Sequence, residues 1–414
     1  MFHHLRLENF AMFKKLHWKQ HQRINILTGE NDCGKTYLLK ILYCLARSIE
    51  EYKRILTLES ETEIRKEIEQ LGEIIIKELI ESESQITSET NSLTLINKKI
   101  KNIKNELETK KEIKELLFRK ELTLRELTRD NITATSWKDI LTQKLLWIFQ
   151  PRDWLLGQLI TQGENKLKVN TQLGSELIDL TLIDTLPNKI ADLNPLTGQF
   201  SEINTLYIPA QEILTAFDAI NATREHLEIA GFDDTYFDLI KALRLPVTRG
   251  EIQVELKAIA QSIDEQLKGQ ILFESQSFVF RKAREQYTMP QTAESIKKIG
   301  IFSTLINNRK LKAGSILFID QPETHLHPHS IIILVDTLFK MAQAGLQIYL
   351  ATHNEWVLKR FQRLAQHYHE PIGLSVLSRQ TACSDIIAEF YDLRHYIPSE
   401  FTITGTLTPD QIAL

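Results

Sequence analysis

The chain predicts an α/β fold in which a mostly parallel sheet carries a phosphate-binding loop, and three stretches predict it. The first is residues 24–37, INILTGENDCGKTY. A β-prone run leads into Gly29, four residues, then Gly34, Lys35 and Thr36, and the apolar pattern that follows reads as a helix. The second is residues 315–320, a continuous apolar run ending in Asp320. The third is residues 346–351, another such run, ending at Thr352-His353-Asn354. Runs without alternation belong to strands buried on both faces, as in a parallel sheet covered by helices.

The spacing G-x-x-x-x-G-K-T between a strand and a helix has a chemical reason. Gly29 and Gly34 let the backbone curl, so that successive N–H groups of Glu30, Asn31, Asp32, Cys33 and the helix start can face phosphate oxygens. Lys35 would reach the β- and γ-phosphates, Thr36 would give its hydroxyl to Mg²⁺, and Tyr37 is the last position of the stretch expected to bind the nucleotide. An acid at the end of a buried strand, Asp320, is placed to hold the same Mg²⁺ opposite Thr36. These residues imply a nucleotide-binding protein.

Composition narrows the class. At 414 residues, with 43% hydrophobic and 25% charged residues, the chain has length for two or three domains and the balance of a soluble protein. A formal net charge of −4 argues against a uniformly basic nucleic-acid coat, although a local patch leaves room for nucleic acid as a partner. Lysine pairs such as Lys14-Lys15 are usually solvated faces. Cys33, Cys44 and Cys383 lack metal-ligand spacing, and so sparse a set suits a reducing cytosol. The start, MFHHLRLENF, lacks the apolar core of a signal peptide, and no stretch reaches about 18 consecutive apolar residues. The expectation is cytoplasmic, with no membrane partner. His325, His327 and His329 alternate without further ligands nearby, which weighs against zinc.

In chain order, residues 3–27 read as two or three short strands leading into the loop, and the loop helix runs to about Ile49. Over 51–127, Ile64, Ile68, Leu71 and Ile75, then Ile96, Ile100, Ile103 and Leu107, repeat at helical spacing around a polar tip at 81–89. They predict an antiparallel hairpin whose arms reach about 35–40 Å, either a docking arm or a pair lying on the surface. Residues 128–199 are a mixed insert in which 166–170 alternates like an edge strand. Residues 205–212 form a buried strand ending at Pro209. Residues 216–268 are helical with a break at Pro246 and Gly250, inside a helical lobe of about 215–300, and 271–273 with 278–280 form a hairpin. Segments 1–50 and 200–414 make up the head.

Together these motifs resemble the ABC-type AAA ATPases of the SMC/RecF/OLD kind, close to those of bacterial phage-defence operons. There the acidic strand reads D-E-P-E-x-x-L-H-P and here residues 320–328 read DQPETHLHP; the later strand ends in T-H, here Thr352-His353. A signature segment A-E-G-x-[RK]-K precedes the acidic strand, here Ala293-Glu294-Ser295-Ile296-Lys297-Lys298. The match spans 1–45 and about 200–360. It implies an ABC-type P-loop head that binds ATP and Mg²⁺ and self-associates by closing two heads over two nucleotides. It also implies Lys35 and Asp320 as catalytic groups, His353 as the switch histidine, Gln211 as the Q-loop glutamine near the metal, and Ser295 with Lys297 facing a partner's nucleotide.

Two positions depart from the pattern. Gln321 stands where the family has the glutamate that polarises the attacking water, and an amide cannot take up its proton. Slow hydrolysis follows, whether the change is natural or a substitution that traps ATP; Glu323 is a substitute base to consider. Ser295 stands where the subgroup has glycine. The tail carries no nuclease pattern, so the implied function is a nucleotide-gated switch over a separate effector, a nuclease or toxin in anti-phage defence. The alternative is a RecF/SMC-like ATPase that clamps DNA in repair or maintenance.

Overall fold

The computed structural model describes residues 1–19, 21–58, 136–186, 189–197, 203–225, 231–247, 250–379 and 385–395. The chain divides into two compact units, Met1–Glu51 with Lys138–Leu414, and Tyr52–Trp137. The helical hairpin expected within 51–127 lies, beyond residue 58, outside the described residues.

In the larger unit, β1 (Phe2–Phe10) and β2 (Phe13–Trp18) alternate, burying Phe2, Leu5, Leu7, Phe10, Phe13, Leu16 and Trp18. With β4 (Lys166–Leu173), β5 (Glu176–Ile183) and β6 (Ile190–Leu193) they form an antiparallel sheet in the order β2-β1-β4-β5-β6. The alternation at 166–170 suggests an edge strand, but β4 is interior, bonded to β1 and to β5. Alternation reports one solvated face of a sheet, not a free edge.

The second sheet contains β3 (Ile24–Gly29), β7 (Thr205–Ile208), β11 (Ile316–Asp320), β12 (Gln347–Ala351), β13 (Ile372–Arg379) and β14 (Ile386–Asp392). Its order is β14-β13-β3-β12-β11-β7, parallel throughout except for β14. Every residue of β3, β7, β11 and β12 is buried, as their unbroken apolar runs require. Phe318 lies between stacked Tyr207 and Tyr349, with ring centroids at 6.4 and 5.2 Å. Each such ring stabilises the fold by roughly 2–3 kcal/mol. Of the two buried polar side chains in β3, Asn25 and Thr28, Asn25 is satisfied by Gln22, whose N–H donates to Oδ1 at 2.8 Å.

The two sheets are stitched together by polar groups. The Phe2 N–H donates to Gln347 Oε1 at 2.9 Å. His21 stacks on Trp18 at 4.2 Å and shares a 2.5 Å hydrogen bond with the Tyr349 hydroxyl. Burial, reinforced by His4 and His3, pushes His21 down to about 3.

The helices are α1 (Lys35–Leu58), α2 (Trp137–Phe149), α3 (Phe217–Glu225), α4 (Asp234–Leu243), α5 (Val254–Leu267), α6 (Glu294–Asn307), α7 (Pro328–Gln343) and α8 (Glu355–Tyr368). Helices α5 and α6 pack beside a small antiparallel sheet of β8 (Gln270–Glu274), β9 (Ser277–Lys282) and β10 (Glu285–Thr288). Helix α1 runs past the expected end near Ile49. Glu50 and Glu51, just past that point, turn inward to pair with the buried cations Lys310 and Lys144.

Those cations belong to a network around α1. Lys40 pairs with Asp233 at 2.6 Å, and Lys144 of α2 with Glu51 and Asp234 at 3.0 and 3.1 Å. Asp238 of α4 accepts from the Tyr43 hydroxyl at 2.6 Å and from Arg47 Nε at 3.2 Å. Glu50 accepts from the Thr205 N–H at 2.9 Å and from Lys310 Nζ at 3.0 Å, joining α1 to β7. Burial alone would raise the Asp238 carboxyl, but Arg47 and Lys144 outweigh it and hold the group far below the usual carboxylate range.

Two outcomes follow. Asp238→Ala leaves the buried Arg47 with Glu50 alone, at 3.1 Å, and removes the acceptor of the Tyr43 hydroxyl, which should cost about 3 kcal/mol in urea unfolding. His21, whose folded value lies below its ordinary one, contributes stability in full above about pH 6.5 that drains away as pH falls toward 3. His21→Phe should flatten that acid limb in unfolding midpoints measured from pH 7 to 4.

Candidate nucleotide-binding site

Parallel register assembles the site. Ile319 pairs with both Ile208 and Leu350, Asp320 with Ala351, and Ala351 with Leu27. The C-terminal ends of β7, β11, β12 and β3 therefore lie side by side, where open α/β sheets bind ligands. The loops leaving them carry Gln211, residues 320–323, Thr352 with His353, and the phosphate loop.

Only glycine fits the two loop corners. Gly29 has φ +140°, and a Cβ there would lie 2.0 Å from the Leu377 carbonyl oxygen; Gly34 has φ +78° and faces the Phe13 and Met12 side chains at 2.6 and 2.7 Å. Between them Glu30, Asn31 and Asp32 are exposed, while Cys33 is buried and burial raises its thiol. Tyr37 packs against Phe149 and Phe10 at 5.4 and 6.3 Å, anchoring the start of α1. The buried Lys35 ammonium donates to the Gly29 and Glu30 carbonyls at 2.8 and 2.6 Å. Burial lowers its pKa, against the pull of Cys33, Asp320 and Glu323.

Thr36 Oγ1 donates to Asp320 Oδ2 at 2.8 Å, the contact that closes the loop onto the acidic strand. Asp320 is buried, and its Oδ1 has no hydrogen-bond partner. The Tyr207 hydroxyl beside it is likewise outside hydrogen-bond geometry. Burial raises the Asp320 carboxyl, opposed by Thr36, Lys40 and Lys35. A buried carboxylate oxygen without a partner, next to a threonine hydroxyl, is a hard-oxygen donor set that fits Mg²⁺. Thr36 and Asp320 would hold the ion, which when bound would offset phosphate charge. Gln211 sits exposed beyond the end of β7.

Beyond Asp320 the backbone is locked. Gln321 adopts φ +43°, its N–H donates to the Ala351 carbonyl at 2.9 Å, and its own carbonyl accepts from Thr324 Oγ1 at 2.6 Å. Glu323 is buried, and its Oε1 accepts from Thr352 Oγ1 at 2.6 Å. Thr352 Oγ1 in turn accepts from the Asn354 N–H at 3.0 Å, and Asn354 caps α8. His353, between them, is exposed. Among the described residues no cluster of three His, Cys, Asp or Glu side chains forms a metal site, and the His325–His329 run instead caps and opens α7.

The signature segment lies at the start of α6. Ser295 is half-buried. Lys297 is buried and committed to Glu294 at 2.6 Å, Glu212 at 3.3 Å and the Thr215 hydroxyl at 2.9 Å. Lys298 donates to the Thr324 carbonyl at 2.8 Å and the Ala210 carbonyl at 3.2 Å, so it ties the Gln211 loop to the turn after Asp320. Sequence reading paired neither lysine with a partner, because those partners sit on distant loops. The role of Thr352 was equally hidden beside the more conspicuous His353.

A protein family described as "AAA domain, putative AbiEii toxin, Type IV TA system" matches residues 24–358. The chain belongs to this family. It carries an AAA domain, and the phosphate loop, Asp320 and His353 all fall inside the matched span. No curated protein matches it. Among solved structures it is similar to an Smc head bound to the C-winged helix domain of ScpA, at 10% identity and TM-score 0.45, covering 94% of this chain and 97% of that one. The SMC head domain of Thermotoga maritima gives 11%, 0.38, 93% and 98% in the same order. A Pyrococcus furiosus Smc head with an extended coiled coil, bound to the C-terminal domain of ScpA, gives 8%, 0.45, 95% and 97%. Likenesses this distant add nothing to the strand order described above. Among the described residues, no helix of this AAA protein is long and apolar enough to cross a membrane.

Thr36→Ala removes the hydroxyl that faces Asp320 while leaving the loop glycines intact. Its Mg²⁺-dependent gain in nucleotide affinity should fall by about tenfold or more, the loss of one charge-assisted contact of 1.5–3 kcal/mol. Calorimetric titration with and without Mg²⁺ checks it.

Proposed function

We propose that this AAA ATPase is a nucleotide-gated switch: ATP with Mg²⁺ binds the phosphate loop, two heads close over two nucleotides, and the closed form controls a separate effector. The observation that carries the reading is the pairing of an intact Thr36–Asp320 contact with Gln321 immediately after it. The first equips the site to hold a nucleotide and its metal; the second removes the usual proton acceptor, so the bound state outlasts that of a fast ATPase. Gln211 and His353, on neighbouring loops, would sense the metal and the γ-phosphate. Ser295 and the helix start at α6 would meet the partner head's nucleotide, with Lys297 acting through Glu212 to place the Gln211 loop.

The toxin–antitoxin wording of the family description supports a link to a toxin; extending the switch to a nuclease or toxin effector in anti-phage defence is part of the same proposal. The repeat pattern of residues 51–127, expected from the sequence to form a hairpin, would supply the docking arm.

ATP turnover measured beside ATP-dependent size tests the switch. Wild-type protein should shift to a larger species with ATP and turn over well below about 1 per second. Lys35→Ala should abolish the shift. Brisk turnover, or a size indifferent to ATP, would reject the switch, and turnover stimulated by DNA would favour a clamp on nucleic acid.

A further inference from the structure

With Gln321 unable to take up a proton, the site needs another acceptor if ATP is hydrolysed at all. Among the carboxylates at the strand ends, Asp320 uses one oxygen for Thr36 and offers the other to Mg²⁺. Glu323 is different. One of its oxygens is fixed by Thr352, whose own position is set by β12 and by the cap of α8. The other, Oε2, is buried and has no hydrogen-bond partner. Its N-terminal neighbour, Pro322, is buried, and the Glu323 carbonyl accepts from the Leu326 N–H at 3.0 Å, so backbone as well as side chain is held. The charged groups that face it are Lys35 from α1, Lys298 from α6 and His353 from the end of β12. Two of those three belong to the strand-end loops where the terminal phosphate would lie.

We propose that Glu323 Oε2 is the proton acceptor for the water that attacks ATP, with Thr352 as its orienting partner; this rests on the ATP-binding reading above. The water oxygen bonds to the γ-phosphorus as the bond from that phosphorus to the β,γ-bridging oxygen breaks. ADP leaves with the electron pair, the water's proton passes to Glu323, and Glu323 later returns it to the released phosphate or solvent. A base held by a third group follows the logic of other hydrogen-bonded catalytic pairs. Burial also raises the Glu323 carboxyl above its ordinary range, which makes it a better acceptor than an exposed glutamate.

Glu323→Gln decides the matter, because the amide oxygen still accepts from Thr352 while proton affinity is lost. Phosphate release should fall at least about a hundredfold, with Mg²⁺–ATP affinity by calorimetry and the ATP-dependent size shift unchanged. Thr352→Val, which keeps the carboxylate but frees it, should fall between wild type and Glu323→Gln at unchanged affinity. Wild-type turnover in Glu323→Gln, or turnover that appears only when Gln321→Glu is introduced, overturns the assignment while leaving the switch standing. Failure of wild-type protein to bind Mg²⁺–ATP would overturn both.

Discussion

The parallel register of β7, β11, β12 and β3 governs everything at the strand ends. Because Asp320, Ala351 and Leu27 sit level across three strands, the chain leaves the sheet at one height in each, and four loops share one crevice. The Thr36–Asp320 hydrogen bond is the result: two residues remote in sequence meet at 2.8 Å because their strands are in step. A slip of one residue in β11 would turn the carboxylate to the other face of the sheet. The continuous apolar runs that build these strands are thus also what aligns the polar groups beyond them.

How much of this was legible depended on whether a residue's partners were local. The phosphate loop could be read because each position carries a chemical demand, and the clashes a side chain would meet at Gly29 and Gly34 show why the pattern tolerates no other residue. The buried strands were legible from unbroken hydrophobicity. By contrast, the alternation of β4 disclosed its solvated face but not its neighbours. The helix expected to end near Ile49 continues through Glu50 and Glu51, whose partners Lys310 and Lys144 lie far along the chain. Lys297, expected to face a partner's nucleotide, is instead paired with Glu294 and Glu212, the latter again far along the chain. Polar residues are ambiguous in sequence: a charge at the surface and one paired in the interior are spelled alike.

The turn after Asp320 has its own logic. Gln321 sits at φ +43°, a conformation uncommon outside glycine, asparagine and aspartate. Its backbone is held by Ala351 on one side and Thr324 on the other, while Lys298 grips the Thr324 carbonyl and the Ala210 carbonyl. The loop of Gln211, the acidic turn and the start of α6 therefore share one set of fastenings. Side chains placed on such a scaffold keep their aim better than those on free loops.

The charge network around α1 has a mechanical consequence. Lys40, Arg47 and Lys144 bind α1 and α2 to α4, and Glu50 binds α1 to β7; separating any of these pairs would leave an ion in an apolar interior. Those elements are stiff with respect to one another. Compliance in the unit must then reside outside this network. A displacement at the phosphate loop would be passed through these ion pairs into α4, much as a lever transmits force along its length.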